Sequence, residues 1–274
     1  MGAEQQVAAH YTRGKLEERI LGALRSAGKN LEQLRPGDVA PIDNFHVGGE
    51  QATADLAGFM GLRAGMHLLD VGCGIGGPAR FFAGQGCHVT GVDLTEEFVR
   101  TAQSLTSMLK LEEYAQFRQG SALDLPFEPG TFDGAYMIHV GMNIADKAGV
   151  FREVARVLKG GGRFAIFDIM SSGNGALQFP LPWAADPATS FVASVEDYRR
   201  ALETAGFRID HQRERRQFAL EFTKTMMERI AASPVPVLGV HVLMGEQAPV
   251  MMKNVMAGIG SGALEPVELV ATRG

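Results

Sequence analysis

The densest chemistry in the sequence lies in ten residues, Leu68-Leu69-Asp70-Val71-Gly72-Cys73-Gly74-Ile75-Gly76-Gly77. An apolar run ends at Asp70, and glycines follow at 72, 74, 76 and 77 before a helical stretch. Glycine lets the backbone approach a ligand and adopt positive φ, and a helix start presents free N–H groups. Gly72, Gly74 and Gly77 also satisfy the dinucleotide fingerprint G-x-G-x-x-G, so two ligand classes compete at this turn. Asp70 weighs between them, because a carboxylate at its mouth repels a pyrophosphate and favours an ammonium or a sulfonium. S-adenosylmethionine (SAM) carries both. Asp93 ends a second apolar run 21 residues after Gly72, close to the offset of about 20 at which an acid grips ribose hydroxyls, and it serves either ligand. A third run leads into Gln119-Gly120-Ser121-Ala122-Leu123-Asp124-Leu125-Pro126-Phe127, and a fourth begins at Phe132-Asp133. A nicotinamide enzyme has no need to repeat these signals, so the balance moves to SAM.

The elements that must position these residues follow from periodicity. Short apolar runs at His67 to Val71, His88 to Val92, Ala115 to Gln119, Gly134 to Ile138 and Arg163 to Ile169 read as buried strands. Between them, Phe98, Ala102, Leu105 and Leu109 make one helical stripe. Val150, Val154, Val157 and Leu158 make another, with Gly160 to Gly162 read as its stop. Strand and helix alternating in this way imply an α/β parallel sheet covered on both faces, with ligands at the carboxyl ends of the strands. Upstream, Leu16, Ile20 and Leu24 mark an amphipathic helix ending near Gly28, and Asn30 to Asn44 reads as a polar connection. Downstream, Ser194 to Asp197 offers a capping box for a helix through Ala205, and a strand-like segment starts at Phe207. Phe218, Phe222, Met226 and Ile230 form a stripe that the Ser233 to Pro236 turn breaks, and Met252, Val255, Met256 and Ile259 form the next.

Composition bounds the function. The 274 residues are 46% apolar and 21% charged, which excludes a disordered chain. A net charge of −5, from 26 basic and 31 acidic residues, offers no overall pull toward nucleic acid or an anionic membrane. Cys73 and Cys87 are too few for a disulfide framework. No apolar signal core precedes Ile20, Gln6 stands where a myristoylation motif needs Ser or Thr, and no transmembrane run is present, so a cytoplasmic protein is expected. The seven histidines show no metal-ligand spacing, and no metal is expected.

The stretch from about Gly49 to Ile169 resembles the class I SAM-dependent methyltransferases: the glycine turn, the ribose acid, the adenine loop and the strand entry from Leu158 to Asp168 stand in family order. The resemblance implies a Rossmann-like, seven-stranded, mostly parallel sheet and SAM as cofactor. It places Asp70, Gly72 and Gly74 around the methionine portion, Asp93 on the ribose, and Ser121, Ala122 and Leu123 around the adenine. His46, Cys73, Leu94 and Ile138, which adjoin these motifs, complete the expected cofactor contacts. Many relatives have Asp where Ser121 stands, so the adenine contact differs here.

Phe45-His46-Val47-Gly48-Gly49, the His10-Tyr11 pair and the segment Tyr136 to Lys147 are similar to small-molecule methyltransferases of the phosphoethanolamine, sarcosine and tocopherol type. Those relatives carry an acid where His139 stands and a catalytic histidine where Asn143 stands. Their Tyr-His pair is therefore not intact, and amine acceptors are disfavoured. His139, Tyr11 and Asn143 are the catalytic candidates, with Tyr11 and His139 as a substitute pair and His139 to Asn143 sharing a face if that segment is helical. Phe179, Trp183 and Met252 are the expected substrate contacts, in a stiff Pro-containing loop and a Met-rich cap that suit an apolar or aromatic acceptor. The expected organisation is an N-terminal helical lid (1–48), a SAM-binding core (49–217) with an acceptor loop at 177–191, and a C-terminal cap with the last strand (218–274). The expected activity is methyl transfer from SAM to oxygen, nitrogen or carbon of a small molecule, by a monomer or homodimer without nucleic acid or membrane insertion. A nicotinamide-dependent oxidoreductase and a non-catalytic SAM-binding protein are the alternatives.

Overall fold

The computed structural model describes residues 2–44, 46–232, 238–239 and 241–274. Four helices come first, α1 (Ala3–Tyr11), α2 (Leu16–Ser26), α3 (Pro36–Asp43) and α4 (Gly49–Gly58). Alternation then begins: β1 (His67–Val71), α5 (Gly77–Gly84), β2 (His88–Asp93), α6 (Glu96–Met108), β3 (Ala115–Gln119), β4 (Phe132–Ile138), α7 (Lys147–Val157) and β5 (Leu158–Ser171). The chain continues with α8 (Val195–Thr204), β6 (Phe207–Glu214), α9 (Arg216–Ala232), α10 (His241–Met244), α11 (Ala248–Ser261) and β7 (Leu264–Arg273).

The strands form one seven-stranded sheet in the order β3-β2-β1-β4-β5-β7-β6. Only β7 runs antiparallel, between β5 and β6. The inner strands are continuous apolar runs because both faces are covered: Leu68, Leu69, Val71, Phe164, Ile166 and Phe167 are all fully buried. One face packs Val150, Phe151 and Val154 of α7 against Leu69 and Phe164, and the other packs Ala79 and Phe82 of α5 with Leu56 of α4 against Leu68 and Tyr136. The direction of strand succession reverses between β1 and β4, which leaves a crevice at their carboxyl ends.

The strands lie where their apolar runs place them, as does α2, whose Leu16, Ile20 and Leu24 pack with Val39, Ile42, Phe98 and Leu105. The capping box is formed: Ser194 Oγ accepts from Asp197 N at 3.2 Å, and Asp197 Oδ2 accepts from Ser194 N at 3.2 Å. Three readings are corrected. The Asn30 to Asn44 connection folds into a 3-10 turn (Leu31–Gln33) and α3, because Pro36 is pre-set for a first helical position and Asp38 Oδ2 accepts from Arg35 N. Gly160 to Gly162 lie within β5 rather than ending a helix. There Gly161 at φ +74° absorbs the register shift between the pairs Phe132–Leu158 and Gly134–Arg163. Residues 139–143 are not α-helical: His139 has φ +55° and a 3-10 turn spans Gly141–Asn143. The Ser233 to Pro236 turn and Phe45 lie outside the described residues.

Candidate active site

Between β1 and α5 the chain turns through Gly72 and Gly74, both at positive φ. A Cβ on Gly72 would sit 2.5 Å from Val140 Cγ1, so the turn after β1 and the turn after β4 close on each other only with glycine there. Val92 O of β2 accepts from Gly72 N and Cys73 N at 2.8 and 3.1 Å. Asp93 Oδ2 accepts from Gly74 N at 2.9 Å and Oδ1 from Thr95 N at 2.8 Å, so this acid reaches over the glycine turn. Burial raises its carboxyl above the ordinary range, against these hydrogen bonds. Asp70, 2% exposed, has no hydrogen-bond partner for Oδ2, and burial with help from Asp93 pushes its carboxyl up to about 8.

A cleft partly open to solvent lies over this turn. Its wall includes every expected cofactor contact except one: His46, Asp70, Gly72, Cys73, Gly74, Asp93, Leu94, Ala122, Leu123 and Ile138. Ser121 is the exception. Its hydroxyl donates to Glu4 Oε1 and accepts from Leu123 N at 3.0 Å, holding α1 over the adenine-loop candidate.

Tyr11, His139 and Asn143 also line the cleft. The Tyr11–His139 pair is not formed. The Tyr11 hydroxyl donates to Asn143 Oδ1 at 3.0 Å, and Asn143 Nδ2 donates to Val140 O at 3.2 Å. Burial raises the Tyr11 phenol far above its usual value. His139 Nε2 is buried without a partner, and the ring stands 5.8 Å from His46 and 4.9 Å from Phe167, centroid to centroid. Burial, then the neighbouring His46, holds the His139 imidazole well below its usual pKa; burial lowers His46 to about 4. Both rings are neutral at physiological pH.

Phe179, Trp183 and Met252 do not reach this cleft. They join a packed cluster with Met142, Ile169, Leu181 and Val255, in which Trp183 is 3% exposed and its Nε1–H donates to Ser190 Oγ at 2.9 Å. In their place Glu4, Val7 and Asp43 line the cleft from the N-terminal helices, with Phe98 from α6. Two carboxylates fix those helices. Glu97 accepts from the backbone N–H of Arg13, Gly14 and Leu16 at 2.8–3.1 Å, and Asp43 pairs with Arg80. The Gly14-Lys15 pair that wraps Glu97 has positive φ at both residues, and Gly14 was the signal available in the sequence.

A family model described as a methyltransferase domain matches residues 69–166. The chain is 39% identical to a sterol 24-C-methyltransferase of Gibberella zeae over 41% of this chain and 30% of that one. It is 32% identical to the 27-O-demethylrifamycin SV methyltransferase of Amycolatopsis mediterranei over 56% of this chain and 58% of that one. It thus spans less than two thirds of these curated relatives. Geranyl diphosphate C-methyltransferase from Streptomyces coelicolor, solved with Mg2+, geranyl-S-thiolodiphosphate and S-adenosyl-L-homocysteine, superposes with a TM-score of 0.72 at 19% identity, covering 100% and 99% of the two chains, and shows the same fold. The nicotinamide alternative finds no support in these likenesses. The matched segment holds both acids, the glycine turn and the strand that delivers His139, and over that segment the chain is similar to a methyltransferase domain.

Proposed function

We propose that the chain transfers a methyl group from SAM to oxygen, nitrogen or carbon of a small, uncharged, largely apolar organic acceptor. One observation carries the reading: a buried carboxyl, Asp70, whose Oδ2 has no hydrogen-bond partner, stands in a glycine-lined cradle whose far side is closed by a second acid, Asp93. SAM, when bound, supplies an electrophilic sulfonium methyl. Asp70 and the glycine turn would hold its cationic methionine end, and Asp93 has lone pairs left for ribose hydroxyls. Ala122, Leu123 and Ile138 present apolar walls to a base. His139 and the Tyr11–Asn143 pair then face the acceptor, while the N-terminal helices, residues 1–48, act as a lid that excludes water. The core is assigned to 49–217 and the cap to 218–274.

The acceptor's charge follows from the wall. It carries the acids Glu4, Asp43, Asp70, Asp93 and Asp146, and among the described residues no lysine or arginine, so a phosphorylated acceptor would meet no cationic side chain. A cationic acceptor finds neutral imidazoles where the resembling amine methyltransferases keep an acid. A sterol and a rifamycin as substrates of relatives agree with an apolar acceptor. No helix among the described residues is long and apolar enough to cross a membrane. The acidic balance supports a partner list without nucleic acid.

Asp93→Ala removes the carboxylate that spans the turn and is expected to weaken SAM about ten- to a hundredfold, as loss of one or two charge-assisted hydrogen bonds would. Calorimetric titration of SAM reads this, and an unchanged affinity contradicts the ribose role. Thermal stabilisation by NADH and not by SAM or its demethylated product would sink the whole reading.

A second prediction concerns Asp70. With its carboxyl at about 8 it is mostly protonated at pH 7, and a cation beside it favours the ionised form. Binding of SAM therefore releases a proton, and affinity rises with pH, by up to about tenfold per unit below the Asp70 pKa. Titrations in buffers of different ionisation enthalpy measure this release. Proton uptake, or a pH-independent affinity between 6 and 8, would contradict it.

A further inference from the structure

We propose that Asp168 and Tyr198, which lie outside the cleft wall, are positioning residues that set the turn carrying His139 and Asn143; the inference rests on the methyltransferase reading of that turn. Asp168, near the end of β5, is fully buried. Its Oδ2 accepts from the Tyr198 hydroxyl of α8 at 2.7 Å, its Oδ1 accepts from Ile169 N at 3.0 Å, and the Gly141 amide faces the same carboxylate. A Cβ on Gly141 would collide with both the Tyr198 oxygen and Asp168 Oδ2, so the turn lies directly on this pair. One residue earlier in β5, Phe167 O accepts from His139 N at 2.7 Å. The two ends of His139–Gly141 are thus fastened to consecutive residues of one strand.

The far side of the turn is fastened too. Ile144 N donates to Gly141 O at 2.9 Å, and Phe191 N donates to Met142 O at 2.9 Å. Lys147 Nζ donates to Ile144 O at 2.5 Å and Phe191 O at 2.7 Å, and lies 5.6 Å from the Tyr198 ring centroid. A non-glycine residue at φ +55° is held there only where its surroundings over-determine it. These bonds are that over-determination. Apolar side chains would fill the space beneath the turn without the cost of burying an acid, a phenol and an amine. Directional bonds add a fixed orientation for the His139 ring, whose Nε2 has no partner in the protein.

The test uses the full chain. Tyr198→Phe keeps the ring and its packing and removes one hydrogen bond; Asp168→Asn is the second variant, should the first fail to fold. Three quantities are read: kcat and KM for any accepted substrate, SAM affinity by calorimetry, and the imidazole ¹⁵N resonances of His139. The expected result is a kcat lower by about tenfold with SAM affinity within about twofold, together with shifted His139 resonances. A lowered unfolding midpoint with kcat and the His139 resonances unchanged overturns the proposal and leaves the pair a structural one. The resonances are read without turnover, so a wild-type chain that binds no SAM would refute the methyltransferase reading while the resonances still decide whether the pair positions His139.

Discussion

Arg80→Met is expected to lower the stability of the chain by about 3–5 kcal/mol, the largest effect of any substitution considered. Arg80 of α5 is 5% exposed, and Asp43 of α3, 7% exposed, is its partner. The guanidinium donates through Nη2 to Asp43 Oδ1 at 2.5 Å and through Nε to Oδ2 at 3.1 Å, a two-pronged pairing that also reaches Ile75 O at 2.8 Å and Thr106 Oγ1 at 2.9 Å. Burial raises the Asp43 carboxyl even with the guanidinium beside it, which shows how poorly that site would hold a lone carboxylate. Removing the cation leaves such a carboxylate and two acceptors, Ile75 O and Thr106 Oγ1, without their donor, whereas replacing both partners with apolar residues removes the charge that needs an answer. Arg80→Met with Asp43→Leu is therefore expected to recover a good part of the loss. Urea denaturation of the two single variants and the double measures the coupling, and a loss below about 1 kcal/mol for Arg80→Met would refute it. The pair also matters for the cleft. Asp43 lines it, and a Cβ on Gly77 would run into Asp43 O, so lid helix and glycine turn are seated against each other with no room to spare. Weaker SAM binding should accompany the lost stability.

The central sheet was legible because its inner strands are buried on both faces, as in the short apolar run His67–Val71, whereas the edge strand Ala115–Gln119 buries only Ala115 and Phe117. The cofactor end was legible because its residues follow the strands directly, so Asp70, Gly72, Gly74 and Asp93 are positioned by local turns. The acceptor end was not. Its walls come from α1, in which Val7 is the one buried residue and no apolar stripe announces a helix, and from α3, hidden behind prolines that read as a linker. Tyr11 and Asn143 are 132 residues apart and Asp43 and Arg80 37, and nothing in the spacing of either pair foretells the bond. Phe179 and Trp183 show the opposite error. Aromatic residues in a Pro-containing loop have the same composition whether they face a ligand or pack on Ile169 and Val255, and here they pack. The Gly160 to Gly162 run was misread for a similar reason: glycine serves a helix stop and a strand bulge equally well, and only the β4–β5 register decides.

His139→Ala is expected to lower kcat by roughly a hundredfold or more while SAM affinity stays within a few-fold, the size of effect seen when one group aimed at the reacting centre is removed. An imidazole near its usual pKa would be suited to take a proton. Burial and His46 hold His139 well below that value, so it is neutral above pH 6 and a weak proton acceptor. Its chemistry is then that of a fixed hydrogen-bonding group: Nε2 has no partner in the protein, and the positive-φ backbone, held by Phe167 O, fixes the ring in the cleft that the Tyr11–Asn143 pair also lines. Two measurements separate this from a base. A group titrating near 6.5 would make kcat fall as pH drops through 6.5, whereas a neutral His139 gives no inflection between pH 6 and 8. Because alanine is also strained at φ +55°, the unfolding midpoint of the variant must be read alongside; His139→Asn, whose side chain tolerates the left-handed region, separates backbone strain from loss of the ring. A wild-type inflection near 6.5 that vanishes in both variants would restore the base. Lost SAM binding with kcat kept at saturation would move His139 from the acceptor to the cofactor.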